Sequence, residues 1–115
     1  MLFRSLHIFE DIGDIGNEYI FKQPVYDQPI LSSNQEGSEV KVLVDTPEIA
    51  KISILQEMEI PVSADERLEK EQRMVVEFRY RKAERSKEKR ILQLETIMTV
   101  RKDSKKIDFE TTLDN

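Results

Sequence analysis

The stretch Leu92-Gln93-Leu94-Glu95-Thr96-Ile97-Met98-Thr99-Val100-Arg101 decides the fold class. Leu92, Leu94, Thr96, Met98 and Val100 occupy every second position, so a pleated strand places them all on one face and leaves Gln93, Glu95, Ile97, Thr99 and Arg101 on the other. Reading outward, Ile107, Phe109, Thr111 and Leu113 alternate with Asp108, Glu110, Thr112 and Asp114 after the break Asp103-Ser104-Lys105-Lys106. Upstream, Met74, Val76, Phe78 and Tyr80 alternate with Val75, Glu77, Arg79 and Arg81. The set Ile52, Ile54, Met58, Ile60, Val62 has the same period, with Gln56 interrupting it. Residues 40–44 are short, rich in valine and bounded by turn formers (Gln35-Glu36-Gly37-Ser38 before, Asp45-Thr46-Pro47 after), which predicts a further strand. Residues 3–10 alternate as well, with Leu6 and Ile8 opposite Phe3, His7 and Phe9.

These strands predict an all-β chain, an antiparallel β-sandwich or meander sheet with charged loops, forming one domain over residues 1–115. Residues 64–73 and 81–90 are rich in Glu, Lys and Arg and have helix propensity, but the strands on either side predict solvated connections with no buried helix. The rival is one charged helix over residues 65–95, whose two-residue apolar spacing would spiral around its surface. The long irregular region, residues 11–33, is where function is expected, because loops on a β scaffold carry it more often than strands.

Composition narrows the classes. The chain has 115 residues, 38% hydrophobic and 36% charged, which suits a soluble globular domain with a modest core. No run approaches the roughly 20 apolar residues of a membrane helix, and the start has no basic stretch followed by an apolar block, so no membrane association or export is expected. Cysteine is absent, which removes disulfides and thiolate sites and leaves the cytoplasm as the default compartment. A net charge of −5 repels phosphate backbones, so no nucleic-acid partner is expected. The basic residues of 79–90 are interleaved with Glu77, Glu84 and Glu88 and read as a solvated mixed face.

Four carboxylates and two glycines fall within Glu10-Asp11-Ile12-Gly13-Asp14-Ile15-Gly16-Asn17-Glu18-Tyr19. A calcium loop would need acidic or amide residues at alternate positions, and Ile12 and Ile15 break that register, so a glycine-bearing turn with exposed acids is the plainer reading. A glycosidase pair of carboxyl groups is another use for these acids, although such pairs are held by separate elements across the scissile bond. His7, the single histidine, excludes a His-pair metal site and reads as a structural, partly buried side chain. Gly13 and Gly16 are followed by no lysine, so a phosphate loop is absent.

The run from Phe9 through Tyr19-Ile20-Phe21-Lys22-Gln23-Pro24 resembles the segment that follows the catalytic region in α-mannosidases of glycoside hydrolase family 38, particularly the bacterial branch. The closing Glu110-Thr111-Thr112-Leu113-Asp114-Asn115 is similar to that family's threonine-rich strand ending in Asp-Asn, ahead of a basic segment that this chain lacks. The resemblance implies a non-catalytic central β domain of a longer, retaining, zinc-dependent enzyme, with the zinc and the nucleophile housed elsewhere and no cofactor in this chain. Its partners would be other domains of the same polypeptide and, in the whole enzyme, an α-mannoside. The isolated chain would be inactive and could self-associate. Eukaryotic members carry a Gly-Ala-Tyr-aliphatic-Phe-x-Pro segment whose tyrosine reaches the sugar site. Tyr19, Phe21 and Pro24 match it in order and spacing, while Asn17 and Glu18 replace its small residues. The resemblance thus makes Tyr19 a candidate substrate-binding residue and Asp11, Asp14, Asn17 and Glu18 candidates for a loop facing the active site. A stand-alone carbohydrate-binding or protein-interaction sandwich is the alternative. An aromatic content of 7% without Trp offers few platforms for sugar stacking.

Overall fold

A computed structural model describes residues 7–114. The chain is almost entirely β. In order come β1 (Glu10–Asp11), β2 (Ile30–Leu31), a 3-10 turn (Ser32–Asn34), β3 (Glu39–Asp45), β4 (Ile49–Pro61), the helix α1 (Leu68–Gln72), a second 3-10 turn (Phe78–Tyr80), β5 (Lys89–Arg101) and β6 (Ile107–Asp114). No helix of the described residues is long and apolar enough to cross a membrane. The chain divides into two compact units, one from Met1–Asn34 with Glu59–Arg90, the other from Gln35–Met58 with Ile91–Asn115.

The second unit is built on a sheet in the order β3-β4-β5-β6. Antiparallel pairing sets Val40 opposite Ile54 and Val42 opposite Ile52, and the register shifts between Val42 and Val44, where Leu43 bulges. Along β5 and β6, Leu94 faces Leu113, Thr96 faces Thr111, Met98 faces Phe109 and Val100 faces Ile107. Directly opposed residues share a face, so the alternation read from Leu92 and from Ile107 becomes one apolar side of the sheet. Leu94 and Thr96 are buried, and the Thr96 and Thr111 hydroxyls meet at 2.8 Å. The other side is polar: Ser53 Oγ donates to Glu95 Oε1 at 2.9 Å, and Gln93 Nε2 donates to Glu57 Oε1 at 3.2 Å.

The first unit holds β1 and β2, paired antiparallel, together with α1 and the loops. Its residues 62–65 and 84–88 lie side by side, with Val62 N–H donating to Glu88 O, Ser86 N–H to Ser63 O and Asp65 N–H to Glu84 O. Ala83 is fully buried there and Arg85 largely so, which corrects the reading of a solvated loop over residues 83–86, while Lys82 and residues 87–90 are exposed as expected. The Arg85 head is paired with the Asp11 and Asp27 carboxylates and the Arg81 head bonds the Val76 and Gln23 carbonyls, so charge in the sequence does not by itself mark exposure.

Two further expectations change. Residues 74–80 are not a strand; Met74, Val75, Phe78 and Tyr80 are all exposed, and the backbone closes into a 3-10 turn. Side chains take the carbonyls that a ladder would have used: Lys22 Nζ donates to Met74 O at 3.1 Å and Arg81 Nε to Val76 O at 3.1 Å. Where no helix was expected, α1 forms for five residues, preceded by a turn in which the Asp65 carboxylate accepts from the Arg67 backbone N–H at 3.0 Å. The strand expected over residues 3–10 falls partly on residues 1–6, outside the described ones; of the remainder, Glu10 belongs to β1.

Candidate functional site

Residues 15–22 form a tight hairpin whose shape follows from two side chains, Asp14 and Asn17, and one glycine, Gly16. Ile15 N–H donates to Lys22 O at 2.8 Å, and Asn17 and Ile20 exchange backbone bonds at 3.1 and 3.3 Å. Asp14 Oδ1 accepts from Gly16 N–H at 2.7 Å and from Lys22 N–H at 2.9 Å, bridging the two limbs. Asn17 Oδ1 accepts from Tyr19 N–H and Ile20 N–H, each at 3.0 Å, closing the tip. Both are short polar side chains bonding the backbone two residues on, the usual device of a turn. Gly16 is required because a Cβ there would stand 1.8 Å from Ile20 O.

The base of the hairpin is anchored and its tip is free. Ile15, Lys22 and Pro24 are buried, and Lys22 reaches the end of α1, where Nζ lies 3.4 Å from Glu71 O. Gln72 Nε2 donates to Gly16 O at 3.2 Å from the same side. At the tip Tyr19 is 86% exposed, with Ile20 and Phe21 exposed beside it. The hairpin thus presents Tyr19, Ile20 and Phe21 to solvent, as the chain also presents Tyr26.

The other candidates have structural tasks. Asp11 pairs with Arg85, whose Nη1 lies 3.4 Å from Asp27 Oδ1, and Asp27 Oδ2 accepts from Gly13 N–H at 2.9 Å. Asp14 and Asn17 spend oxygens on the hairpin backbone, while Glu18 is exposed beside Tyr19. The acids are therefore dispersed over separate tasks, and among the described residues no group of three His, Cys, Asp or Glu could hold a metal ion. His7 stands edge-on to Phe9, ring centroids 4.7 Å apart. Arg85 and Asp27, the residues that complete this arrangement, were missed by sequence reading. The available signal was the pair of uncharged residues close to Arg85, Ala83 and Ser86, in an otherwise fully charged run.

No family model matches the chain. It is 36% identical over 113 residues to a protein of Halalkalibacterium halodurans provisionally named a mannosylglycerate hydrolase, a match covering 98% of this chain and 12% of that protein. Among solved structures it superposes on an α-mannosidase from Enterococcus faecalis V583 with a TM-score of 0.83 at 45% identity, covering 94% of this chain and 12% of that one. A second, described as a glycosyl hydrolase family 38 protein from Enterococcus faecalis, gives a TM-score of 0.84 at 45% identity over 94% of this chain and 13% of that chain. The chain belongs to glycoside hydrolase family 38.

Within this family 38 chain the hairpin of residues 15–22 is the feature that sequence resemblance singled out, and the structure presents its tyrosine outward. The zinc that the family implies finds no suitable donors among the described residues: one histidine packed on a phenylalanine and no cysteine do not make a zinc site. The chain spans 12% of the length of the Halalkalibacterium relative it matches.

Proposed function

We propose that this chain serves a retaining, zinc-dependent family 38 α-mannosidase as a non-catalytic β region, and that its hairpin rims the sugar site with Tyr19. The observation that carries the proposal is the contrast within residues 15–22: a fixed base, a tip closed by Asn17, and Tyr19 86% exposed at its end. A ring held in this way meets a partner surface without paying much ordering entropy. Its hydroxyl can donate to or accept from a sugar hydroxyl, and its face can pack on the apolar side of a pyranose. The two carboxyl groups that retaining hydrolysis needs, and the metal, would come from other parts of the same polypeptide.

The apolar sheet face of the second unit supports the same reading. Val40, Val42, Phe109 and Leu113 remain half or more exposed on its outer strands, the state of a surface that other domains of the polypeptide cover.

The test is Tyr19→Phe in the full-length polypeptide, assayed on an aryl α-mannoside. Loss of one hydroxyl contact should lower kcat/KM by about 3- to 10-fold, the size of a single hydrogen bond. Unchanged kinetics would reject Tyr19 as a substrate-facing group.

A further inference from the structure

We infer that Arg85 is the positioning residue of the Tyr19 hairpin, gripping both ends of the loop that carries it. The inference rests on the proposed substrate-facing role of Tyr19 and extends it to a residue about which that role says nothing.

On the incoming side Arg85 Nη2 pairs with Asp11, just after β1 begins. On the outgoing side Nη1 lies 3.4 Å from Asp27 Oδ1, ahead of β2. Asp27 then reaches back to the incoming side through its other oxygen, which accepts the Gly13 N–H at 2.9 Å. The stem of the arginine packs in the same place. A Cβ on Gly13 would stand 2.8 Å from Arg85 Cδ and 2.8 Å from Pro24 Cγ, so Gly13 is bare to let the two limbs close on the arginine. The Arg85 side chain is only 14% exposed and that of Asp27 only 2%, so the grip is weakly screened by solvent. Arg85 itself is held by its own backbone, in an antiparallel bridge with Ala64.

The geometry makes this grip matter at the tip. Tyr19 lies six positions beyond Gly13, at the far end of a hairpin whose two limbs are tied together by Asp14 and Asn17. A hairpin tied in this way moves as a unit, so a tilt at its base is carried to the ring, where roughly 1 Å of misplacement is already costly to a reacting complex. Arginine suits the task because its planar fork meets two carboxylates at once, whereas a lysine ammonium offers one point of charge.

The experiment uses the full-length polypeptide with Arg85→Ala, Arg85→Lys and Tyr19→Phe. Two quantities are read: amide hydrogen exchange over residues 13–22, and kcat and KM on an aryl α-mannoside. In Arg85→Ala, exchange over residues 13–22 should rise about tenfold or more while residues 92–100 keep their protection. Turnover should fall about tenfold or more with KM changed less than about twofold, and Arg85→Lys should recover part of both. Adding Tyr19→Phe to Arg85→Ala should cost less than it does alone, because the ring is already displaced. Unaltered exchange over residues 13–22 in Arg85→Ala, or unaltered turnover in a background where Tyr19→Phe is impaired, would overturn the inference. If Tyr19→Phe alone turns over normally, the substrate-facing reading falls while the holding of the hairpin by Arg85 is decided by exchange alone. Should Arg85→Ala fail to fold, Arg85→Lys carries the same comparison.

Discussion

Gly16 has space for a hydrogen and nothing larger, since a Cβ would meet Ile20 O at 1.8 Å. Gly16→Ala is therefore expected to open the tip of the hairpin, and nuclear magnetic resonance should show the Asn17 and Ile20 amides losing protection while the sheet amides keep theirs. A second residue-level prediction concerns Glu71, which is buried and whose Oε1 accepts the backbone N–H groups of Lys82 and, at 3.0 Å, Ala83. Its other oxygen, Oε2, is buried with no hydrogen-bond partner in the structure among the described residues. Glu71→Ala strands one buried and one partly buried donor and should cost about 1–3 kcal/mol in urea denaturation, whereas Glu71→Gln retains an acceptor and should cost less. At this scale sequence reading marked residues 11–33 as irregular, and the resemblance singled out Tyr19, which the structure places at an exposed hairpin tip. Sequence reading did not assign Asp14 and Asn17 to the backbone, although Asp14-Ile15-Gly16 and Asn17-Glu18-Tyr19 have the spacing by which such side chains close turns. Asp27 and Glu71 were illegible because a buried carboxylate and an exposed one look alike in sequence, and only the distant Arg85, Lys82 and Ala83 set them apart.

Among the elements, β5 and β6 were readable because period-two alternation is sustained over many residues and one face has to be buried. Residues 74–80 carry the same alternation and are not a strand. Two cations, Lys22 and Arg81, hold their carbonyls, and a pattern of side chains cannot reveal which groups the backbone will bond. The short helix α1 follows local propensity, helped by Asp65. Its carboxylate accepts from the Arg67 side chain and backbone and from Glu84 N–H at 3.1 Å, joining the start of α1 to residues 84–88. The Arg67 guanidinium, bonded to that carboxylate, holds the Asp65 carboxyl below its ordinary value, with the Glu84 and Arg67 amides adding to the effect and desolvation opposing it. Because the folded value is the lower one, this contribution to stability is complete above the ordinary carboxyl range and is lost as pH falls through the depressed value. Acid unfolding of the wild type should thus show a stability loss below about pH 4 that is smaller in Asp65→Asn. Equal acid sensitivity in the two proteins would remove Asp65 from the account of α1.

Over the whole molecule, the all-β class was legible from the strands alone, while the division into two compact units was not, because both units draw on both halves of the sequence. The family came from resemblance and is carried by 45% identity to solved structures that share the fold. The apolar sheet face gives this scale its own prediction. With Val40 and Val42 on β3 and Phe109 and Leu113 on β6 half or more exposed, the chain by itself should associate through that face. Sedimentation should show concentration-dependent association that Val42→Lys with Phe109→Lys reduces; a strictly monomeric wild type would contradict it. The central claim, that this region supports a mannosidase site without containing one, is tested most directly by assaying hydrolysis of an aryl α-mannoside by this chain alone and by the full-length polypeptide, each with and without zinc. The account predicts turnover by the full-length polypeptide and none by the chain. Turnover by the chain alone would contradict it and would return the acids between Asp11 and Glu18 to consideration as catalytic groups.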